Sequence, residues 1–412
     1  MKVLIVGGGI GGIVTALMLH ARGIACEVFE QAEEVRELGV GLTLLPHAVK
    51  ELVSLGLLGA LDEVSIRSEH LYYLTRKGQI VWNEPRGLLA GYDVPQFFAH
   101  RGKLQMLLYR ALRQRLPDTA LHLDRRLVEF SQDGDTVKAV FSDRSGTLHR
   151  AEGDLMIGAD GIHSTVRSTL FPGQVTPRWS GLMLWRGATD WPDFLGGASV
   201  MIHGGVDTKF VCYPIAPGET PGTKLTNWAA IIRVAPDGSA PPSRENWSKV
   251  GKRSDLVPYL DRFKSDTIDF KGLVDATGTF WEYPMCDRDP IDNWTAGRVT
   301  LLGDAAHPMY PMGANGASQA ILDARALTDA LASSHGYDAA LAAYQAERLP
   351  RTSAIVALNR KGGPEAVIDA VEALAPEGFV DIDAVMSRDQ RQAFMSNYAQ
   401  NAGYSKDQVA RQ

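Results

Sequence analysis

The stretch Val6-Gly7-Gly8-Gly9-Ile10-Gly11-Gly12 constrains this chain more than any other. It follows a short apolar run, Lys2 to Val6, and precedes apolar residues at helical spacing from Ile10 to His20, so the glycines lie at a strand-to-helix turn. Gly7 permits the tight turn, Gly9 lets a pyrophosphate approach the backbone, and Gly12 lets the helix pack closely on the strand. The free N–H groups and the positive end of that helix then suit a diphosphate. A second strand-like run, Ala25 to Phe29, ends in Glu30, where a carboxylate binds ribose hydroxyls and repels a 2′-phosphate. That disfavours NADP at this first site and leaves FAD and NAD open. A signal peptide also begins with a lysine and an apolar stretch, but it has no need of this glycine register or of Glu30.

With 412 residues and 45% hydrophobic content, the chain has enough apolar material for two or three domains. A net charge of −6 argues against a general nucleic-acid or anionic-membrane binder and turns attention to small molecules. Cys26, Cys212 and Cys286 form no C-x-x-C pair, which disfavours a disulfide framework, a structural zinc site and a dithiol-flavin reductase; a reducing cytoplasm is the expected location. No uninterrupted apolar run reaches the roughly 18 residues of a membrane span, so no stable membrane insertion is expected.

Along the chain, Glu37 to His47 reads as a glycine-punctuated loop leading into a helix at about 48–58, and His100 to Gln105 opens a helix reaching about Leu116. From Arg178 to Tyr283 the pattern shifts to strand-length runs divided by Gly- and Pro-rich loops, which reads as an inserted antiparallel sheet. The expected fold class is α/β (α+β): a Rossmann-like dinucleotide-binding domain in two parts, 1–177 and 286–360, an inserted substrate-binding β-sheet domain at 178–285, and a helical tail at 361–412.

Two later stretches make joint sense with the first: Gly158-Ala159-Asp160-Gly161, followed by His163, Ser164 and Arg167, and Gly303-Asp304-Ala305-Ala306-His307-Pro308, followed by Pro311 and Gly313. In this order they resemble the single-component FAD-dependent aromatic hydroxylases, the class A flavoprotein monooxygenases of the para-hydroxybenzoate and salicylate hydroxylase type. The likeness runs to about Arg351, and Met309 to Ala324 looks most like the phenazine-hydroxylase branch. It implies FAD as cofactor and NADPH or NADH as a transient electron donor, since no second dinucleotide fingerprint is present. It also implies that oxygen is inserted through a flavin hydroperoxide into a small aromatic or N-heteroaromatic substrate, with or without loss of a carboxyl group. A monomer or homodimer is expected.

Carried over by position, the resemblance places the diphosphate at Gly7, Gly9, Ile10 and Gly12 and the adenosine ribose at Glu30 and Gln31. It assigns Arg101, Gln105 and Asp304 to the ribityl and phosphate part, and Asp160 to a motif shared by FAD and the nicotinamide donor. Gly313, Ala314, Asn315 and Gly316 lie where a helix begins, so their N–H groups and the helix dipole suit negative charge on the reduced flavin edge.

Some relatives carry a His four residues before a Tyr-Pro pair; here Lys209 stands there, before Tyr213-Pro214. Four positions apart on a strand puts Lys209 and Tyr213 on one face, so a cation and a phenol can approach one substrate, although an exposed edge-strand lysine fits the pattern equally well. His47 stands where many relatives have Asn, and Pro311 is expected to border the ring-side pocket. His307 is expected to touch the flavin, and Trp185, Phe210, Trp228 and Trp281 are candidates for an aromatic pocket wall. Two other readings stay open at this point: an FAD-dependent dehydrogenase or reductase that inserts no oxygen, and a nucleotide fold reused to bind protein cargo.

Overall fold

The computed structural model describes all residues except 38, 174–175 and 244–247; Leu38 of the glycine-punctuated loop therefore lies outside the described residues. In the strand Lys2–Val6 the residues Val3 to Val6 are apolar and buried on both faces, as a central parallel strand must be. It pairs in parallel with Leu155–Gly158 on one side and Ala25–Phe29 on the other. Leu121–His122, Val299–Leu301 and a short antiparallel edge at Thr295–Ala296 complete this six-stranded sheet. The helix Ile10–Ala21 is buried from Gly12 to Leu19 because it packs on the sheet's strands and against Arg101–Arg115 and Gly316–Ser333. The carboxyl ends of the parallel strands deliver all three motifs to one edge, the place where open α/β sheets collect ligands.

The seven-stranded sheet runs in the spatial order Trp281–Asp287, Arg178–Pro192, Thr223–Arg233, Thr208–Pro217, Ser199–His203, His70–Leu74 and Ile80–Pro85. This departs from the expected sheet in one respect. Its last two strands come from residues 70–85, far ahead of 178–285, and His70–Leu74 lies parallel to Ser199–His203 while the other neighbours are antiparallel. One face of the sheet packs on the helices Arg253–Leu260 and Phe270–Ala276 around Phe210, Trp228, Phe263 and Phe270. The other face looks toward the α/β half. The helix expected at 48–58 is instead two, Pro46–Ser54 and Leu58–Val64, separated around Gly56, whose φ of +70° ends the first. After the long helix Tyr337–Arg360 the tail forms Ala366–Leu374, Ile382–Val385, Arg388–Ala402 and Lys406–Arg411.

Candidate active site

Three of the fingerprint glycines do different work. A Cβ at Gly7, whose φ is +110°, would lie 2.3 Å from the Ala159 carbonyl oxygen, and one at Gly12 would lie 2.0 Å from that of Gly7. Both are therefore demanded by the chain's own close packing. A Cβ at Gly9 meets nothing within 4 Å. The space in front of Gly9 belongs to a ligand, and the N–H groups at the start of Ile10–Ala21, which have no partner within the helix, face it. Glu30 orders the approach: its Oε2 accepts from the Gly8 N–H at 2.7 Å and its Oε1 from the Ala32 N–H at 2.8 Å, leaving lone pairs for hydroxyl donors. Gln31 is exposed beside it. Gln105 Nε2 donates to the Gly8 carbonyl at 3.1 Å, so it steadies the turn from behind and does not line the cavity.

A cavity of about 390 Å³ runs from this turn to the seven-stranded sheet. Gly9, Ile10, Arg101, Asp304, Pro311 and Gly313 to Gly316 border its nucleotide side. Burial raises the pKa of Asp304, while His307 and Arg101 pull it back; the carboxylate itself projects into the open space, which is why it is accessible despite its surroundings. Burial and the neighbouring Arg186 in turn lower the pKa of Arg101, against the pull of Asp304. Asp304 is aimed by a buried cluster: His307 Nε2 lies 2.5 Å and Arg348 Nε 2.8 Å from the Asp323 carboxylate, which also accepts the Gly303 N–H at 3.0 Å. Burial opposes ionisation of Asp323, but His307 and Arg348 hold its pKa down to about 2. His307 thus turns away from the expected flavin contact and toward the interior.

Asp160 is also committed to the chain. Its Oδ2 accepts from the Thr165 N–H at 2.7 Å and its Oδ1 from the Ser164 hydroxyl, so it secures the start of the helix Thr165–Leu170 while its neighbours Ala159 and Gly161 line the cavity. Where the resemblance implied ligand contact, Asp160 positions backbone that lines the cavity.

The loop before Gly316–Ser333 carries Gly313 at φ +65° and Ala314 at φ +53°, and the tail holds it in place. Gly313 N–H donates to Glu365 Oε1 at 3.1 Å, and the Tyr398 hydroxyl lies 3.0 Å from the Met312 carbonyl and 2.8 Å from Asn359 Oδ1. A Cβ at Gly313 would sit 2.5 Å from the Tyr398 ring. The helix N-terminus at Gly316 consequently points its dipole into the cavity.

Lys209 and Tyr213 both line the cavity, on one face of Thr208–Pro217. Lys209 is neither an exposed edge lysine nor an uncompensated cation: it is 1% exposed, its Nζ is ion-paired with Glu365, and it lies 3.0 Å from Met312 Sδ. Burial pushes the Tyr213 pKa up to about 12 despite the opposing pull of Arg186, so its hydroxyl is a protonated donor near neutral pH. His47 is fully buried behind the cavity wall, next to Gln319 and Tyr404, and does not line the cavity. Burial and the Arg348 charge lower its pKa to about 3, which suits a neutral structural ring better than a catalyst.

The expected aromatic wall is on the wrong side of the sheet. Phe210, Trp185 and Trp228 belong to the core under the outer helices, because each sits one residue from a cavity-facing position and strands alternate faces. Trp281 lies on the edge strand and is absent from the cavity lining. The real floor is aliphatic: Leu71, Val200, Ile202, Val211, Ala229 and Ile231. Sequence reasoning missed Arg186, whose parity with Leu184 on an apolar strand was a readable signal, and also Arg86, Glu365 and Tyr404, which carried none. Arg186 donates to the Gly41 carbonyl at 2.6 Å and the Tyr283 hydroxyl at 3.2 Å, tying the glycine loop to the floor.

A turn whose middle glycine opens on the cavity, a carboxylate at the end of the second strand and a helix N-terminus aimed into the same cavity define a dinucleotide-binding fold. The family model described as FAD binding domain matches residues 1–359. The chain is 41% identical over 364 residues to phenazine 1,6-dicarboxylic acid hydroxylase PhzS of Lysobacter antibioticus, covering 87% of this chain and 89% of that protein. It is 30% identical to 3-hydroxybenzoate 6-hydroxylase of Klebsiella oxytoca, covering 88% of each. The solved structure of Klebsiella pneumoniae HpxO complexed with FAD and uric acid shares the fold, with a TM-score of 0.75 and 23% identity over 100% of this chain and 97% of that one. The chain belongs to the FAD binding domain family and is an FAD-dependent aromatic monooxygenase, with FAD as its cofactor.

Among the described residues no helix is long and apolar enough to cross a membrane, and no group of three or more His, Cys, Asp or Glu side chains is arranged to hold a metal ion.

Proposed function

We propose that this monooxygenase hydroxylates a flat, fused N-heteroaromatic compound of the phenazine kind. The observation that carries this reading is the aliphatic floor: Leu71, Val200, Ile202, Val211 and Ala229 span four adjacent strands and offer a broad apolar surface for a ring system wider than one benzene ring. The 41% identity to a phenazine dicarboxylic acid hydroxylase supports it. FAD, when bound, accepts hydride from NAD(P)H and supplies the oxygen chemistry. The chain's contribution is to hold and shield. Gly9 and the Ile10 helix start would take the diphosphate, Glu30 the adenosine ribose, and Asp304 with Arg101 the ribityl region. The Gly313–Gly316 turn would face the flavin ring with N–H groups, Pro311 would bound the ring-side space, and the Tyr213 hydroxyl would donate a hydrogen bond that orients the substrate. The aliphatic floor keeps water from the reacting face.

The division into 1–177 and 286–360 around a substrate sheet at 178–285 with a tail at 361–412 is part of this proposal, amended by giving residues 70–85 to the substrate sheet, as the strand pairing favours. Three buried free cysteines agree with work in a reducing cytoplasm; the proposed working unit is a monomer or homodimer.

Holoenzyme supplied with NAD(P)H, isotopically labelled dioxygen and either phenazine-1,6-dicarboxylate or 3-hydroxybenzoate tests the substrate class. One labelled oxygen atom in a phenazine product is expected, with little turnover of the single ring. Efficient labelling of 3-hydroxybenzoate alone would reject the fused-ring reading.

A further inference from the structure

The cavity floor contains one row of side chains that crosses five strands. Strand register places Arg186 opposite Ala229, Ala229 opposite Val211, Val211 opposite Ile202, and Ile202 opposite Tyr73. All five line the cavity. Four strand spacings separate the ends, roughly 19 Å. The row is polar at each end and aliphatic between them. At one end Arg186 lies close enough to Arg101 to affect its titration, and Arg101 in turn feels Asp304, so this end belongs to the nucleotide side. The opposite end has its own cation. Arg86, on the segment following Ile80–Pro85, lines the cavity beside Tyr73 and Tyr404, and its charge acts on both phenols.

The four cations in the cavity lining each have a partner and differ in where along the cavity they lie. Lys209 is neutralised by Glu365, Arg101 faces Asp304, and Arg186 is occupied by Gly41 and Tyr283. Arg86 is paired with Glu84 at 3.1 Å through Nη1 and hydrogen-bonded to the Tyr404 side chain, and its Nε, like that of Arg186, has no hydrogen-bond partner. A guanidinium presents five donors in a fixed fork suited to a carboxylate, and two phenols beside it can add hydroxyl donors. An apolar strip ending in such a group fits an aromatic acid, with its rings on Ile202 and Val211 and its acid group at Arg86.

We propose that Arg86, flanked by Tyr73 and Tyr404, is the subsite that binds a substrate carboxylate at the end of the cavity remote from the FAD-binding turn. The proposal rests on the fused-ring reading above and narrows it to acids. It places recognition of the acid group at Arg86 and not at Lys209, whose charge is met by Glu365. It also gives the tail a role in selecting the substrate, since Tyr404 comes from beyond the segment matched by the family model.

Binding to oxidised holoenzyme, followed through the flavin absorbance, tests this without requiring turnover. Wild type should bind phenazine-1,6-dicarboxylate more tightly than unsubstituted phenazine. Arg86→Gln should raise the Kd of the diacid about 10–150-fold, the range for a lost hydrogen bond to a charged group, and leave phenazine within threefold. Tyr404→Phe should weaken the diacid alone by about 2–10-fold. If Arg86→Gln does not retain FAD, Arg86→Lys keeps the charge without the fork and should still weaken the diacid selectively. Equal losses for both probes, an unchanged ratio, or a change confined to the KM for NADPH would overturn the assignment, as would wild type that binds the two probes alike. Absence of a hydroxylated product with the binding ratio intact would reject the substrate reading and leave the acid subsite standing.

Discussion

The two sides of the cavity are assembled in opposite ways. At the nucleotide side, Gly7, Gly9, Gly12 and Glu30 come from one strand-turn-helix-strand unit, and the contacts that shape them are mostly local or run to the adjacent parallel strand. At the sheet floor, polar groups are held by partners far along the chain: Arg186 by Gly41, 145 residues away, and Lys209 by Glu365, 156 residues away. The first side is a local structure that can form as soon as its strands pair. The second exists only after the sheet has closed and the tail has docked, so substitutions there should cost cooperative stability, whereas those facing the nucleotide should cost affinity.

The largest effect expected from this contrast is at Lys209. Lys209→Met leaves Glu365 almost fully buried without its counter-charge, and breaking a buried pair from one side costs about 3–5 kcal/mol. Lys209→Met combined with Glu365→Gln should recover most of that loss in urea unfolding of the holoenzyme. A single variant that unfolds like wild type would mean that the floor does not depend on this long-range pair.

Next come the glycines, which divide by what lies in front of them. Gly12→Ala forces a methyl against the Gly7 carbonyl and should destabilise the apoprotein by about 1–3 kcal/mol or more. Gly9→Ala should leave the apoprotein Tm unchanged and weaken FAD binding, because its methyl occupies ligand space. Equal Tm losses in the two variants would erase the distinction between a glycine the chain needs and one the ligand needs.

A smaller loss is predicted for Asp304→Asn, whose carboxylate projects into the cavity and feels Arg101 and His307 only through their charge. FAD affinity should fall by an amount on the order of 1.5–3 kcal/mol, as for hydrogen bonds to a charged group, with apoprotein stability within error of wild type. Glu30→Ala should lose both affinity and stability, since it also strips acceptors from the Gly8 and Ala32 N–H groups. Titrating apoprotein with FAD, beside its melting curve, separates the two.

This contrast also explains what could be read in advance. The fingerprint, the parallel sheet and the late motif were legible because each is short-range: a few residues state both the backbone conformation and the face presented. Strand parity correctly put Lys209 and Tyr213 together, and the same parity, applied to Phe210 and Trp228, would have removed them from the pocket. The pairing of residues 70–85 with a sheet more than a hundred residues later was not legible, because nothing local distinguishes a strand that joins one sheet from a strand that joins another. Glu365 and Tyr404 were hidden for a related reason. Each is an ordinary residue of a helical tail until tertiary packing brings it to the cavity wall.

The smallest effect is expected at Tyr213, and it tests whether the floor contributes a proton acceptor or only a donor. Burial, partly offset by Arg186, raises its pKa to about 12, so between pH 6 and 9 the phenol stays protonated and can orient a substrate but not deprotonate it. Tyr213→Phe should therefore reduce the coupling of NAD(P)H oxidation to hydroxylation by about 2–10-fold, the worth of one neutral hydrogen bond, without shifting either limb of the pH profile. The same shift has a consequence for stability. An unfolded tyrosine ionises near pH 10, below the folded value, so the unfolded state releases its proton first and stability falls as pH rises from about 10 toward 12. Tyr213→Phe should lessen that alkaline loss while leaving acid unfolding untouched. Disappearance of a near-neutral limb from the pH profile in Tyr213→Phe would instead make this hydroxyl a titrating base, and the cavity floor would then be chemically active rather than a positioning surface.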